Sequence, residues 1–429
     1  MRITLGRINI KMFLFFIFVM FIAYSRYRKN DNVGDLMVVV ESCLILVALF
    51  LRRSNEKTLS YAFNIYMLFI ISRLAQSYYL TGGIEGEAKV IVYRELGTAV
   101  FLSLIVVSDS KEKFYLLLRN VGIFNAFAGS VEFFTQSCWF SRFITVANHQ
   151  YMLQNAGTER WRVRTMFLHP LVCAVFTLVT WVLLIYMPCR NKWIQFFSQI
   201  AVIICMIGTK ARSSWISLAI VSIMIFFVRQ IKGKRELSRG TIYRLGLAAI
   251  AIILLVVFFD DSIFSLLEVV INRLVSAMSI KDVGHYNRVT MIRFGLTEFN
   301  KAPIKNKLLG FGTDYAINML KAHPIRGWNK AVDNTYVTLL LNYGLLGLIM
   351  HLSVLFFSIR NMFKTKSIIS EMCSIGVVSI FISAFFYEMY SWFSVTVCFS
   401  ILLLGQVDRQ RGLVREKKRI QWKVVSVHG

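Results

Sequence analysis

The sequence predicts an all-α, polytopic helical membrane protein of about 12 transmembrane helices, with a large, partly helical external loop between spans 9 and 10. Three observations lead there. Of 429 residues, 56% are hydrophobic and the mean hydropathy is +0.59, against about 45 to 50% apolar residues in a soluble domain. The apolar runs extend for roughly 17 to 25 residues without alternating, and four prolines leave little turn material for a β-barrel. Lys and Arg gather in short segments between the runs, which is how a helical membrane protein records its orientation.

Taken in order, the spans start near Met12, Val33, Thr58, Ala88, Phe114, Phe167, Trp193, Ser213, Leu245, Asn334, Glu371 and Ser391. The first, "MFLFFIFVMFIAY", has nearly the length of a signal-peptide core behind Arg2, Arg7 and Lys11. "SRYRKN" follows it instead of a small-residue cleavage pattern, so it counts as a span. With the N-terminus on the cytoplasmic side, the alternate loops "RRSNEK", "SDSKEK", "PCRNK", "RQIKGKRELSRGTIYR", "RNMFKTKS" and the basic tail (409–429) all lie inside. The loop from Arg229 to Arg244 alone holds six Lys or Arg in sixteen residues. The first external loop dissents, with Arg26, Arg28 and Lys29. Both termini are expected in the cytoplasm, and the whole chain (1–429) as a single membrane domain.

This topology places two long loops outside, a smaller one over 136–166 and a larger one over 260–332. Loops of more than about 12 to 15 residues are usually functional or disordered. In the larger loop, Ile263, Leu266, Leu267, Val270, Ile271, Leu274, Val275 and Met278 follow the spacing of an amphipathic helix. That helix is expected on the membrane surface or as a cap on the bundle. A second helix, "YNRVTMIRFGLTEFNKA", and a Gly-rich turn, "LLGFGTD", come next.

The familiar catalytic signatures are absent. No P-loop, HExxH or GxSxG is present, the seven cysteines have no CxxC spacing and the six histidines are scattered, so no metal site and no cofactor are expected. The formal charge of +26 is explained by the inner loops and does not call for nucleic acid as a partner.

Arginines at the outer side remain: Arg164 before the sixth span, Arg212 at the tight turn between the seventh and eighth, and Arg288 and Arg293 in the large loop. Any one of them would ordinarily snorkel to lipid headgroups. Together they make a natural clamp for a lipid-linked pyrophosphate, because guanidinium forks match phosphate oxygens and keep their charge. Asp333 and Asn334 open the tenth span. Either suits a helix cap, and Asp333 could instead hold an arginine or accept a proton from a sugar hydroxyl.

Four segments, "RVRTMFLHPLVCAVF", "GTKARSSWISLAIVSIMIF", "HYNRVTMIRFGLTEFNKAPIKNKLLGFG" and "DNTYVTLLLNYGLLGLIMHL", resemble in order and topology the O-antigen polymerase and ligase superfamily of bacterial envelope glycosyltransferases. The resemblance covers roughly Arg160 to Leu352. It implies, at the outer face of the inner membrane, transfer of a growing O-antigen or capsular glycan from one undecaprenyl pyrophosphate carrier onto a repeat unit on another. The implied partners are those lipid-linked donor and acceptor glycans, the bilayer and a chain-length regulator. By the same resemblance Arg212, Arg288 and Asp333 are the catalytic residues, and Arg164, Arg293, His169, Asn334 and Tyr336 bind substrate. Where this chain has Asp333 and Asn334, the ligase branch usually carries His-Asn, which tilts the expectation to the polymerase branch. Transfer to lipid A core is the alternative. A flippase of lipid-linked sugars is the rival outside enzymes, and it predicts a two-fold internal similarity that the two halves lack.

Overall fold

The helix that follows Asp333 is broken, and the break organises one end of the molecule. The structure, a computed structural model, describes residues 60–81, 95–106, 111–143, 155–158, 161–167, 169–232, 283–324 and 332–406. Among them are twelve α-helices and no strand. They are α1 (Tyr61–Thr81), α2 (Thr98–Val106), α3 (Lys111–Thr135), α4 (Pro170–Tyr186), α5 (Lys192–Gly208) and α6 (Arg212–Ile231). Then come α7 (Val283–Lys301), α8 (Ile304–Leu309), α9 (Tyr315–Ala322), α10 (Thr335–Lys364), α11 (Ile368–Ala384) and α12 (Phe393–Gly405).

The span starts expected near Thr58, Phe114, Phe167, Trp193, Ser213, Asn334, Glu371 and Ser391 each lie within three residues of a helix start. Those near Met12, Val33, Ala88 and Leu245, the amphipathic stretch 261–280 and the basic tail lie outside the described residues. Among the described residues three helices, over 112–135, 213–231 and 335–364, are long and apolar enough to cross a membrane, and α4, α5, α11 and α12 are shorter apolar helices. Prolines bound α4, with Pro170 as its first residue and Pro188 just beyond its end, because proline fits a first turn but cannot continue a helix.

Helices α4 and α11 are buried on nearly all sides and form the middle of the bundle. Around them pack α3 and α5 on one flank, and α10, α1, α12 and α2 on the other, with α6 against α11 and α4. Outward faces are apolar as well. On α6, Ile216, Ile220, Ile223, Phe226, Phe227 and Ile231 are all exposed, a surface far too apolar for water and suited to lipid. At one end of the bundle Glu371 is buried, accepting from Tyr186 Oη (2.8 Å) and Lys232 Nζ (2.7 Å), so that α4, α6 and α11 share one ionic knot. The basic residues Arg190, Lys192, Arg229, Lys232, Lys364 and Lys366 fall at this same end.

At the other end α10 starts and soon breaks. Gly344 has φ 64° and ψ −163°, a conformation outside the helical region. The carbonyls of Leu341 and Asn342 are met by the N–H groups of Phe311 (2.9 Å) and Gly312 (3.0 Å) from the turn between α8 and α9. The Asn342 side chain accepts from the Ala316 N–H and donates to the Thr313 carbonyl. A broken helix is tolerated in lipid only where neighbours take up its freed backbone groups, and "GFG" does that here. Contact is backbone on backbone, with a Cβ at Gly310 meeting the Asn342 carbonyl and one at Gly344 standing 2.5 Å from the Leu308 carbonyl.

The expected helix over 286–302 is observed as α7. It packs on the first half of α10 through a small separate core of Met291, Ala316, Met319, Leu320, Val332, Val337 and Leu341. Gly295 lets α7 approach Val337 and Leu341 closely. The described part of the large loop is therefore built onto the segment that Asp333 precedes.

Candidate functional site at the Asp333 end of the bundle

Asp333 and Asn334 divide the work that their sequence left open. Asn334 is the cap: at φ −153° its side chain accepts from the Val337 N–H at 3.0 Å, and its Nδ2 donates to the Phe385 carbonyl at 3.0 Å. Asp333 sits just before it with φ 50°, in the left-handed region that costs an L-residue roughly 1–2 kcal/mol. Asp pays less than most there because its short side chain can bond locally. Next to the cap, Thr335 Oγ1 donates to the Tyr387 carbonyl (2.7 Å) and accepts from Met389 N (2.9 Å), while Tyr336 Oη donates to the Phe381 carbonyl (2.8 Å). The start of α10 is thus fastened to the connection between α11 and α12.

That connection reaches the arginine segment. Its Trp392 ring lies 4.1 Å from the ring of His169, the residue before α4. Upstream, residues 161–167 run along the turn between α5 and α6, where Val163 N donates to the Gly208 carbonyl and Arg162 Nε to the Thr209 carbonyl, both at 2.9 Å. Lys210, at φ 51°, closes this turn, and Arg212 begins α6 directly after it. Ser217 of α6 meets Ser383 of α11 at 3.4 Å. Residues 161–167 with His169, and the segments 208–217, 333–336 and 383–392, therefore meet at one end of the bundle.

The structure brings Arg164, His169, Asp333, Asn334, Tyr336 and the backbone of Arg212 to this end. Arg164 is buried, with its guanidinium carbon 5.6 Å from the Trp161 ring centroid. Arg288 and Arg293 lie on α7, beside the first half of α10; Arg293 is exposed. The side chains of Arg212 and Arg288 lie outside the described residues. Asn334 and Tyr336 have their hydrogen bonds committed to the protein, so they hold the start of α10 in place.

Glu132 was not anticipated. Its two carboxylate oxygens accept from the N–H groups of Arg164 (3.0 Å) and Thr165 (2.9 Å), deep between α3 and the arginine segment. A lone acid in the apolar run "GSVEFFT" was the available signal. Glutamine at this position offers one acceptor and turns a donor toward the second N–H, so Glu132→Gln is expected to destabilise the protein by about 1–3 kcal/mol. Thermal unfolding of the purified variant checks this, and an unchanged midpoint would show that the segment is held by other contacts.

Burial pushes the Cys138 thiol up, so this cysteine stays neutral. Among the described residues no group of three or more His, Cys, Asp or Glu comes together.

A helical bundle with apolar outer faces and a polar end carrying arginines and a strained aspartate is the build of a membrane-embedded protein. A family model described as O-antigen ligase matches residues 197–352, so this part of the chain is similar to that family. The match takes in Arg212, Arg288, Asp333 and Asn334, whereas Arg164 and His169 precede it. No curated protein matches the chain.

Proposed function

We propose that the protein polymerises undecaprenyl-pyrophosphate-linked oligosaccharide repeat units into O-antigen or capsular polysaccharide. The observation that carries this reading is Asp333, a carboxylate held at φ 50° at the end of the bundle where the 383–392 connection joins the start of α10 to the segments of Arg164 and Arg212. Strain in a non-glycine residue beside a polar junction is a reason to look for function.

In this reading Arg212 and Arg288 grip the donor pyrophosphate and Arg164 serves the acceptor carrier. The acceptor hydroxyl oxygen attacks the anomeric carbon of the donor sugar, and its proton passes to the Asp333 carboxylate. The bond from that carbon to the pyrophosphate oxygen breaks, its electron pair leaving with the lipid pyrophosphate, whose growing charge the arginines stabilise. The basic residues at the Glu371 end favour the cytoplasmic side of a bacterial inner membrane for that end, which puts Asp333 outside.

Arg212→Ala and Arg288→Ala are each expected to reduce surface glycan to single repeat units, a loss of about 10²–10³-fold in extension. Arg212→Lys is expected to be impaired too, since a point charge does not reproduce a planar fork. Normal ladders from variants that insert normally would remove these arginines from the reaction. The family description names a ligase, and that reading predicts product joined to lipid A core, whereas a polymerase leaves it on the carrier.

A further inference from the structure

A second charged cluster lies inside the bundle, close to the break in α10. Arg73 of α1 is 4% exposed and donates through Nη1 to Glu95 Oε2 at 2.6 Å, with Glu95 5% exposed. The guanidinium carbon stands 4.5 Å from the ring centroid of Tyr390, 4.8 Å from that of Tyr343 and 5.3 Å from that of Phe69.

Two of these rings belong to the segments that hold Asp333. Tyr343 immediately precedes the Gly344 break and ends the half of α10 capped by Asn334. Tyr390 lies in the turn Met389–Ser391, whose N–H groups are held by Thr335 Oγ1 and by Glu388. Its hydroxyl meets His351 Nδ1 at 2.9 Å, from the second half of α10. A single planar cation thus touches the last residue before the break and the turn fastened to the start of the same helix.

Economy of folding does not explain such a pair. Desolvating two charges costs several kcal/mol, and apolar residues of similar volume often serve stability as well or better. What an apolar pair would lack is a flat cation against two tyrosine faces. We propose that Arg73, paired with Glu95, is a positioning residue that fixes the register between the start of α10 and the 388–392 turn, and so the place of Asp333. This rests on the reading of the Asp333 end as the glycosyl-transfer site.

The test compares Arg73→Met, Glu95→Met and the double variant, each as the full-length protein in detergent. Either single change strands a buried charge and is expected to lower the unfolding midpoint; the double variant is expected to recover it. Despite that recovery, backbone amides of 334–343 and 388–395 in the double variant should exchange about tenfold faster than in wild type, with α11 unchanged. Its kcat for extending lipid-linked repeat units should fall about 10²-fold at little-changed KM, as misplacement of a reacting group does.

Wild-type exchange in the double variant would overturn the proposal, and so would faster exchange with wild-type kcat. If wild-type protein extends no lipid-linked glycan, the functional reading fails, and the exchange comparison alone decides whether Arg73 sets the register.

Discussion

Asp333→Asn is expected to fold like wild type and to extend glycan about 10²–10⁴-fold more slowly, the range lost with a positioned acid or base. The backbone makes the experiment clean. At φ 50° most side chains are strained, but asparagine tolerates this region as well as aspartate does. Substitution with Asn therefore removes the charge and leaves the turn. Some stability should go with it, about 0.3–1 kcal/mol, because a negative charge just before α10 favours its N-terminus.

Asp333→Gly provides the opposite control. Glycine relieves the left-handed strain at this position, and if Asp333 served only as a turn residue the variant would equal or exceed wild type in both stability and activity. The account expects stable, inactive protein instead. Extension rate and unfolding midpoint, measured on the same preparations, separate the two outcomes.

The second large effect is on folding. Gly344→Ala is expected to cost more than about 3 kcal/mol, since a positive φ in a non-glycine residue contributes roughly 1–3 kcal/mol and the new Cβ also strikes the Leu308 carbonyl and the Gly310 nitrogen. Those are backbone atoms, so no rotamer change relieves the overlap. Gly157 supplies the comparison: it has φ 70° but open space around it, and Gly157→Ala should show the backbone strain alone. Unfolding midpoints of the two variants check this. Equal losses would mean that the α8–α9 turn can withdraw from the break at little cost.

These cases also show what was legible in the chain. Long apolar runs bounded by charge or proline located most described helices, and the tight turn before Arg212 was readable from "GTKARSS". The break in α10 was not. "NYGLLGL" reads as a continuous span, because a glycine inside an apolar helix is ordinarily tolerated. Its reason for being glycine is the backbone of Leu308 and Gly310, on a segment reached only through the fold.

Buried charges escaped for a related reason. Arg73 and Glu132 each stand alone in an apolar run, and their partners, Glu95 and the Arg164–Thr165 backbone, come from other helices or loops. At the candidate site the pair Asp333–Asn334 was recognised as cap or catalyst. Only the fold assigns the cap to Asn334, whose side chain accepts from the Val337 N–H.

The central claim is that the Asp333 end joins lipid-linked glycans. Its most direct test uses the purified protein in detergent or vesicles with two batches of pyrophosphate-linked repeat unit, one of them labelled. Longer lipid-linked chains carrying both batches, with release of free lipid pyrophosphate and no product from Asp333→Asn, are the predicted result. Transfer of label across the vesicle membrane with no longer chain formed would contradict it and make the protein a transporter.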